Sequence, residues 1–185
     1  MGILASLFSP YEEFGHIYRV PHHNKDGVSL PRLLRRSWII DTPQDKRDPD
    51  NTVYFIVGEC SLVENIQEAI YQGYNVEIIT GPILRDKATR KKLVDLMRDY
   101  PKQLSMRVAS IRPEKHLCQI NGNILYEDPH SDVDNYGCAT AVEHADAKNI
   151  SKVKNYFDES RTGTVEIQNA EQLAALHAMD EHPNK

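Results

Sequence analysis

The stretch from Thr52 to Thr80, TVYFIVGECSLVENIQEAIYQGYNVEIIT, predicts the fold. It begins with a continuous apolar run of strand length, which is typical of a parallel strand buried on both faces. A capping box of Ser61 and Glu64 then opens a helix whose apolar residues recur on one face. Gly73 suits the end of that helix, and residues 75 to 80 are a second strand. Strand, helix and strand in this order predict parallel pairing through a right-handed crossover.

The same alternation continues after this unit. Residues 85 to 100 have the apolar spacing of a second helix, and residues 104 to 110 alternate as a third strand. Asn121-Gly122, between HLCQI and NILYE, predicts a β-hairpin, because both central positions of a type I′ turn need a positive φ. The chain is therefore predicted to have an α/β fold with a mixed, mainly parallel sheet, flanking helices and an added β-hairpin.

Three segments of the chain differ in pattern. Residues 1 to 51 contain five of the ten prolines and no long periodic run, so they are predicted to be an N-terminal arm that is mostly loop. Residues 52 to 168 are predicted to be the α/β domain, which ends with a third helix and a last strand. Residues 169 to 185 are predicted to form a short helix, capped by Asn169, and a tail.

The composition excludes several classes of protein. Hydrophobic residues make up 40% of the 185 residues, and no run approaches the roughly 18 apolar residues of a transmembrane segment. The net charge of -5 excludes a globally basic nucleic-acid binder, so any affinity for phosphate must be local. The three cysteines form no Cys-x-x-Cys pair, which argues against a thiolate zinc site and favours a reducing, cytoplasmic location.

The N-terminal sequence MGILASLF has two interpretations. It lacks the basic start and the length of a signal peptide, but it fits the myristoylation pattern through Gly2 and Ser6. Alternatively, it is a short apolar segment that docks on the body of the protein or on another subunit. The arm is therefore a candidate contact for a protein partner through its apolar side chains, which are Ile3, Leu4, Leu7 and Phe8.

The stretch RPEKHLCQINGNILYEDPH, residues 112 to 130, carries the candidate chemistry. Because side chains alternate along a strand, Glu114, His116 and Cys118 are expected on one face. A carboxylate two residues from a histidine can orient the ring and raise its basicity, as a nucleophile or general base requires. The alternative is a partly buried histidine whose hydrogen bonds are satisfied by a neighbouring acid.

The order of elements and this hairpin resemble one half of the phospholipase D-like superfamily, over about residues 52 to 167. The motif of that family reads His-x-Lys, four residues, Asp, then a short gap to Gly-Ser. Matching the turn puts Glu114 at the His position, His116 at the Lys position and Asn121 at the Asp position. Glu127-Asp128 then stands near the Gly-Ser position. The resemblance implies the fold of the family with every motif residue replaced.

The replaced residues decide what activity the resemblance implies. In that family a histidine attacks phosphorus, a lysine neutralises the phosphate, and a second copy of the motif supplies the acid. Glu114 is a poor nucleophile toward an anionic phosphodiester, because the two negative charges repel. The resemblance therefore implies a degenerate domain that binds phosphate, nucleic acid or protein as an assembly module, without phosphodiesterase turnover. Only one motif copy is visible, so a complete two-motif site would need a homodimer.

A rearranged catalytic site is the alternative, namely a phosphodiesterase or nuclease that works with or without a metal ion. The candidate residues are Glu114, His116, Asn121, Glu127, Asp128 and His130, and His144 is a further candidate metal ligand. Their spacing matches no metal signature, so no bound metal or other cofactor is expected. The simplest alternative is that Glu127, Asp128 and His130 are solvated residues where the hairpin leaves the sheet.

A local excess of basic residues at the start of the second helix offers a further phosphate site. The residues predicted to bind phosphate there are Arg85, Lys87, Arg90 and Lys91. No aromatic platform for bases is interleaved with them, so a solvated helix face is the alternative. The segment GECS, residues 58 to 61, also suggests nucleotide sensing through backbone N–H groups, a hypothesis that depends on fold analogy.

Overall fold

The computed structural model describes residues 17–23, 37–127 and 136–181, and it describes side chains for residues 38–126 and 141–180. The strands are β1 Ile17–His23, β2 Thr52–Val57, β3 Asn75–Thr80, β4 Ile83–Leu84, β5 Leu104–Val108, β6 His116–Ile120, β7 Asn123–Glu127, β8 Tyr136–Val142, β9 Val165–Ile167 and β10 His177–Ala178. The α-helices are α1 Ser37–Ile40, α2 Val63–Tyr71, α3 Lys87–Asp99, α4 Ala147–Ser160 and α5 Ala170–Ala174. Two short 3-10 helices span Gln44–Lys46 and Met179–Glu181.

One sheet organises the described parts of the chain, with strand order β1-β8-β7-β6-β2-β3-β5-β9. The pairs β2–β3 and β3–β5 are parallel, as the strand-helix-strand pattern predicts. The ladders made by β6, β7, β8, β1 and β9 are antiparallel. The predicted mixed α/β fold with an added hairpin is therefore confirmed. Its parallel part is smaller than expected, because β8 and β1 continue the antiparallel side beyond the hairpin.

The helices cover both faces of this sheet. Helices α2 and α3 pack with the larger core on one face, where Phe55, Ile78 and Cys118 lie. Helix α4 covers the other face through Val153 and Phe157, which pack on the strands below them. Side chains from alternate positions of β2 therefore enter two different cores, as expected for a strand buried on both faces. We call these two sides the α2–α3 face and the α4 face.

Two of the predicted helix ends are confirmed and one is wrong. Gly73 follows α2 with a φ of 84°, and the Asn169 side chain accepts a hydrogen bond from the backbone N–H of Gln172 at the start of α5. The predicted capping box of Ser61 does not form, because the N-cap of α2 is Leu62 and has no side-chain cap. The backbone at Cys60 has a φ of 56°, so the chain turns sharply just before the helix begins.

The predicted N-terminal arm contributes β1, α1 and a 3-10 helix among its described residues. Strand β1 pairs with β8 at the edge of the sheet, with Ile17 opposite Val142 and His23 opposite Tyr136. Residues 1 to 16, which include the apolar start of the arm, lie outside the described residues. Within the described ranges, every helix is too short or too polar to cross a membrane.

Candidate functional site

The hairpin of β6 and β7 lies beside β2 and runs the length of that strand, from its amino end to its carboxyl end. Its turn has a φ of 48° at Asn121 and 73° at Gly122, so the predicted type of turn is confirmed. Strand β6 runs antiparallel to β2, with Leu117 opposite Ile56. The turn therefore lies at the amino end of β2, and His116 lies at its carboxyl end. Residues at the two ends of β6 are roughly 13 Å apart, at about 3.3 Å for each step along the strand.

Asn121 fastens the turn to the rest of the protein. Its Nδ2 donates to the carbonyl oxygen of Trp38 at 2.9 Å and to the hydroxyl of Tyr74 at 2.6 Å. Its Oδ1 accepts from the backbone N–H of Asp48 at 3.3 Å. These contacts use both ends of the amide, and they lie far from His116. Asn121 thus holds the turn against the residues around it.

His116 and Arg112 meet above Gly58, which follows β2. A Cβ added to Gly58 would stand 2.4 Å from Arg112 Nε and 2.9 Å from His116 Nε2, closer than real contacts allow. The missing side chain at Gly58 therefore makes the space in which both side chains lie. His116 is the first residue of β6 and is 9% exposed, so its ring is largely covered by neighbouring residues.

The loops that follow the three parallel strands come together at this place. The backbone N–H of Gly81, after β3, donates to the carbonyl oxygen of Gly58 at 3.1 Å, and a Cβ on Gly81 would stand 2.6 Å from that oxygen. Arg112, which follows β5, forms an ion pair with Glu59, whose Oε1 lies 2.9 Å from Arg112 Nη1. The carboxyl ends of parallel strands are the usual ligand side of an open α/β sheet.

The expected pairing of Glu114 with His116 on one strand face is wrong. Strand β6 begins at His116, and Glu114 lies in an exposed bend before it, so the alternation of side chains does not reach Glu114. His116 lies with Cys118 on the α2–α3 face, whereas Glu114 lines a cavity beside Tyr156 of α4. The structure therefore does not place Glu114 on the strand face of His116 that the sequence suggested.

The other hairpin residues are only partly described. Glu127 is the last residue of β7 and stands directly opposite His116 in the register. Asp128 and His130 lie outside the described residues. The backbone N–H of His144 donates to the Asn123 side chain, which puts His144 near the turn and away from His116. In the described ranges, no group of three His, Cys, Asp or Glu side chains is arranged to hold a metal ion.

The four predicted phosphate-binding residues of the second helix have different contacts. Arg85 is exposed and its backbone N–H donates to the carbonyl oxygen of Glu59 at 2.9 Å, so it borders the loops at the carboxyl ends. Lys87 and Lys91 are exposed on α3. Arg90 instead donates to the carbonyl oxygen of Leu176 at 2.6 Å and holds the C-terminal segment against α3.

The start of α3 is already occupied by carboxylates of the chain itself. Asp86 is the N-cap, and its side chain accepts from the backbone N–H of Thr89 at 2.6 Å. That hydrogen bond lowers the pKa of the Asp86 carboxyl below its usual value. The backbone N–H of Lys87 donates to Asp180 at 3.1 Å. An external phosphate would therefore have to compete with two carboxylates at this helix end.

Arg112 is the functional candidate that sequence reasoning missed. It lies between β5 and β6 in the sequence SIRPEKH, residues 110 to 116, and nothing in its local pattern distinguishes it from other surface arginines. Its position directly after a predicted parallel strand was the available signal, because such positions gather at one edge of the sheet.

No family model and no curated protein matches the sequence. The structure is similar to Nuc, a phospholipase D family member from Salmonella typhimurium, with a TM-score of 0.51 at 8% identity over 83% of this chain and 100% of Nuc. It is also similar to phosphatidylserine synthase from Haemophilus influenzae, with a TM-score of 0.54 at 11% identity over 90% of this chain and 42% of the synthase.

A third similar structure is TrmBL2, an archaeal chromatin protein described as showing a novel mode of DNA binding. Its TM-score is 0.53 at 13% identity, over 89% of this chain and 58% of TrmBL2. The chain thus spans about half the length of TrmBL2 and of the synthase. At these identities the likenesses show the fold alone, and that fold is phospholipase D-like, as the hairpin and the order of elements implied.

Proposed function

We propose that this chain is a phospholipase D-like domain that binds phosphate groups, free or in a nucleic acid, without phosphodiester turnover. The observation that carries the proposal is the convergence of Arg112 and His116 above Gly58, at the carboxyl ends of the parallel strands. A guanidinium offers phosphate paired N–H donors, and the ring of His116 beside it is a further hydrogen-bonding group.

Glu59 acts as the internal competitor for this site. Its carboxylate pairs with Arg112, whose side chain is 55% exposed and accessible to a ligand from solvent. A phosphate carries more charge than the carboxylate and has more acceptor oxygens, so it can replace Glu59 at the guanidinium. Arg85 is exposed and its backbone N–H donates to Glu59, and exposed Lys87 and Lys91 follow it on α3. These cations would extend the contact along a nucleic-acid backbone. TrmBL2, a similar structure, is described as binding DNA.

The absence of turnover is proposed from the residue at the position of the family's nucleophile. The resemblance assigns that position to Glu114, whose carboxylate would be repelled by a phosphodiester. Glu114 also lines the cavity beside Tyr156 of α4, which His116 does not line. Asn121, which the resemblance assigns to the position of the family's Asp, donates hydrogen bonds to Trp38 and Tyr74. These contacts support binding in preference to catalysis.

The binding proposal is tested with inorganic phosphate and with a fluorescent single-stranded oligonucleotide at low salt. We expect Arg112→Ala and His116→Gln each to weaken binding by about tenfold or more, the size of a lost charge-assisted hydrogen bond. Arg98→Ala is the matched control, because Arg98 is an exposed arginine at the far end of α3 that pairs with Asp95. Equal affinity in all four proteins would refute the proposal.

A phosphodiesterase or nuclease is the second candidate function. The observation that favours it is the register, which sets Glu127 directly opposite His116 on the neighbouring strand. An acid and a histidine in that relation can act together as a general acid and base. The assay is cleavage of a generic phosphodiester and of nucleic acid, with and without divalent metals. Turnover that is lost in both His116→Ala and Glu127→Gln would replace the binding proposal with this one.

We also propose that two copies associate. The resemblance supplies only one motif per chain, and Ile111 beside the candidate site is 73% exposed. A twofold dimer would bury this apolar side chain and bring two copies of the site together. Light scattering is expected to give a dimer at micromolar concentration, and removal of residues 1 to 10 is expected to weaken association without abolishing it. A monomer under these conditions would contradict the proposal.

A further inference from the structure

A cavity of about 370 Å³ opens on the α4 face at the carboxyl ends of β2, β3 and β5. Its apolar wall consists of Ile56, Ile79, Ala109 and Ile111. Ile56 and Ile79 are buried, whereas Ile111 stands at the mouth and is 73% exposed. The volume falls at the small end of the range of ligand pockets, which is about 300 to 1,000 Å³. The cavity can therefore hold a compact body of about one ring.

The polar groups of the cavity lie around this apolar wall. Lys115 is half-buried in the bend before β6, and none of the carboxylates among residues 38–126 and 141–180 forms an ion pair with it. Arg112 also lines the cavity, but its guanidinium is engaged by Glu59. A half-buried ammonium without a counter-ion is costly unless it gains an anionic partner. Lys115 is thus the cation that an anionic ligand would meet.

Helix α4 contributes two hydroxyl groups to the cavity, from Tyr156 and Ser160. Burial raises the pKa of Tyr156, and the nearby carboxylates Glu114 and Glu159 raise it further. The phenol therefore keeps its proton at neutral pH and can donate it in a hydrogen bond. Ser160 donates its hydroxyl proton to the carbonyl oxygen of Tyr156 at 2.7 Å, so its oxygen remains able to accept.

We propose that this cavity binds a small amphipathic anion, with a one-ring or branched aliphatic body against Ile56, Ile79 and Ile111 and an anionic group at Lys115. The phenol of Tyr156 donates to the same anionic group. Neither the phosphate site above Gly58 nor the sequence pattern assigns a ligand of this class. The cavity and the phosphate site share Arg112 at their common edge, but His116 does not line the cavity.

The anionic group is a carboxylate or a phosphate monoester, and Glu114 distinguishes the two. Glu114 also lines the cavity, so a doubly charged phosphate meets more repulsion there than a singly charged carboxylate. We therefore expect benzoate to bind more tightly than phenyl phosphate. Inorganic phosphate lacks the apolar body, and benzyl alcohol lacks the charge, so the four probes separate the two halves of the ligand.

Calorimetry or ligand-observed magnetic resonance with these four probes tests the proposal. Benzoate is expected to bind at least tenfold more tightly than benzyl alcohol and than inorganic phosphate. Lys115→Gln is expected to weaken benzoate binding about tenfold, and Lys102→Gln, which changes an exposed lysine before β5, is expected to leave it unchanged. Failure of both benzoate and phenyl phosphate to bind at millimolar concentration would overturn the proposal.

Two variants test the apolar wall. Ala109→Leu fills the cavity and is expected to abolish benzoate binding, and its thermal unfolding shows whether the fold is kept. Ile111→Ser changes an exposed residue and should keep the fold, so it tests the apolar wall if Ala109→Leu unfolds. Its affinity for benzoate is expected to fall at least threefold. Met179→Ser is the matched control, because Met179 is 50% exposed and lies outside the cavity. Undiminished binding in Ile111→Ser and Lys115→Gln would overturn the proposal.

His116→Gln separates this inference from the proposed phosphate function. It is expected to weaken binding of inorganic phosphate and to leave binding of benzoate unchanged, because the ring lies on the other face of the sheet. Loss of benzoate binding to the same extent as phosphate binding would assign both probes to the site above Gly58 and would overturn the cavity proposal. Loss of phosphate binding alone supports both sites.

Discussion

The two ends of the parallel strands use polar residues in different ways. At the amino end, Asp50 Oδ2 accepts from the hydroxyl of Tyr54 at 2.7 Å and from Lys154 Nζ at 2.8 Å. Asp48 Oδ2 accepts from Gln119 at 2.7 Å, and Asn121 is bonded through both ends of its amide. A smaller cavity of about 200 Å³ lies there, but the charged groups that line it are already bonded, Asp50 to Lys154 and Asp48 to Gln119. The amino end is therefore built for stability.

The carboxyl end keeps capacity for a ligand. Arg112 is half-exposed, its partner Glu59 is a partly buried carboxylate, and Lys115 has no ion-pair partner among the described side chains. Glycines give this end its space, whereas at the hairpin turn a glycine provides backbone conformation. The difference indicates that polar residues bonded to one another stabilise the amino end of the sheet. Cations that can still accept an anionic partner lie at the carboxyl end, where the ligand is proposed to bind.

The largest expected effect comes from filling the space between the strand ends. In Gly81→Ala the new Cβ would stand 2.6 Å from the carbonyl oxygen of Gly58, and backbone cannot move aside as a side chain can. We expect a loss of about 3 kcal/mol in the free energy of unfolding, the upper range for overpacking. Urea unfolding measures it. In Gly122→Ala the new Cβ meets open space and only a φ of 73° opposes it, so about 1 kcal/mol is expected.

Equal losses of unfolding free energy in Gly81→Ala and Gly122→Ala would contradict the proposed difference between the two ends. Phosphate binding provides a second measurement on the same two proteins. It is expected to weaken in Gly81→Ala, because the loops that carry Gly58 and Arg112 must shift. In Gly122→Ala it is expected to remain at the level of the unaltered protein.

The next effect concerns the amino end. Asn121→Ala removes hydrogen bonds to Trp38, Tyr74 and Asp48 and puts an alanine at a φ of 48°. We expect a loss of about 2 kcal/mol in stability, measured by urea unfolding, because buried partners are left without a bond. Phosphate affinity at the other end is expected to stay unchanged. A loss of phosphate binding in folded Asn121→Ala would show that the two ends are coupled.

Alkaline pH should weaken the amino-end cluster. Burial and the hydrogen bond to Asp50 raise the pKa of Tyr54 to about 12, whereas the unfolded chain has the ordinary value of 10.0. The folded state therefore keeps a proton that the unfolded state has lost. The contribution is complete below pH 10 and is lost as the pH rises from 10 to 12, by about 1 kcal/mol after solvent screening.

Urea unfolding of Tyr54→Phe measures this contribution. The variant should lose less stability between pH 10 and 12 than the unaltered protein, because its ring cannot titrate. Tyr71→Phe serves as the control, since Tyr71 is 57% exposed, and it should keep the full pH dependence. The same pH dependence in both variants would contradict the assignment to Tyr54.

The smallest expected effect comes from the carboxyl end. Glu59→Gln removes the competitor of Arg112, so inorganic phosphate should bind about threefold more tightly. Stability should change by less than about 0.5 kcal/mol, because a half-exposed ion pair contributes little. Glu166→Gln is the matched control, since it breaks an ion pair with Arg107 at the sheet edge. Weaker phosphate binding in Glu59→Gln would show that Glu59 belongs to the site.

Local patterns predicted the elements well where the decisive interactions are local. The apolar run of β2, the helix that follows it and the Asn121-Gly122 turn are all confirmed, because each depends on neighbouring residues or on the φ of two residues. The capping box at Ser61 is wrong for a tertiary reason. The chain turns at Cys60, a fully buried residue, to bring the loop after β2 against β3.

The sequence by itself determined the α/β class, the hairpin and the resemblance to the phospholipase D-like fold, since these follow from periodicity and turn chemistry. The tertiary structure alone decided which polar residues meet. Glu114 and His116 are close in sequence, yet the start of β6 directs them to different faces. Arg112 meets Gly58 because parallel pairing of β2, β3 and β5 gathers their carboxyl ends at one edge, an arrangement that no local pattern encodes.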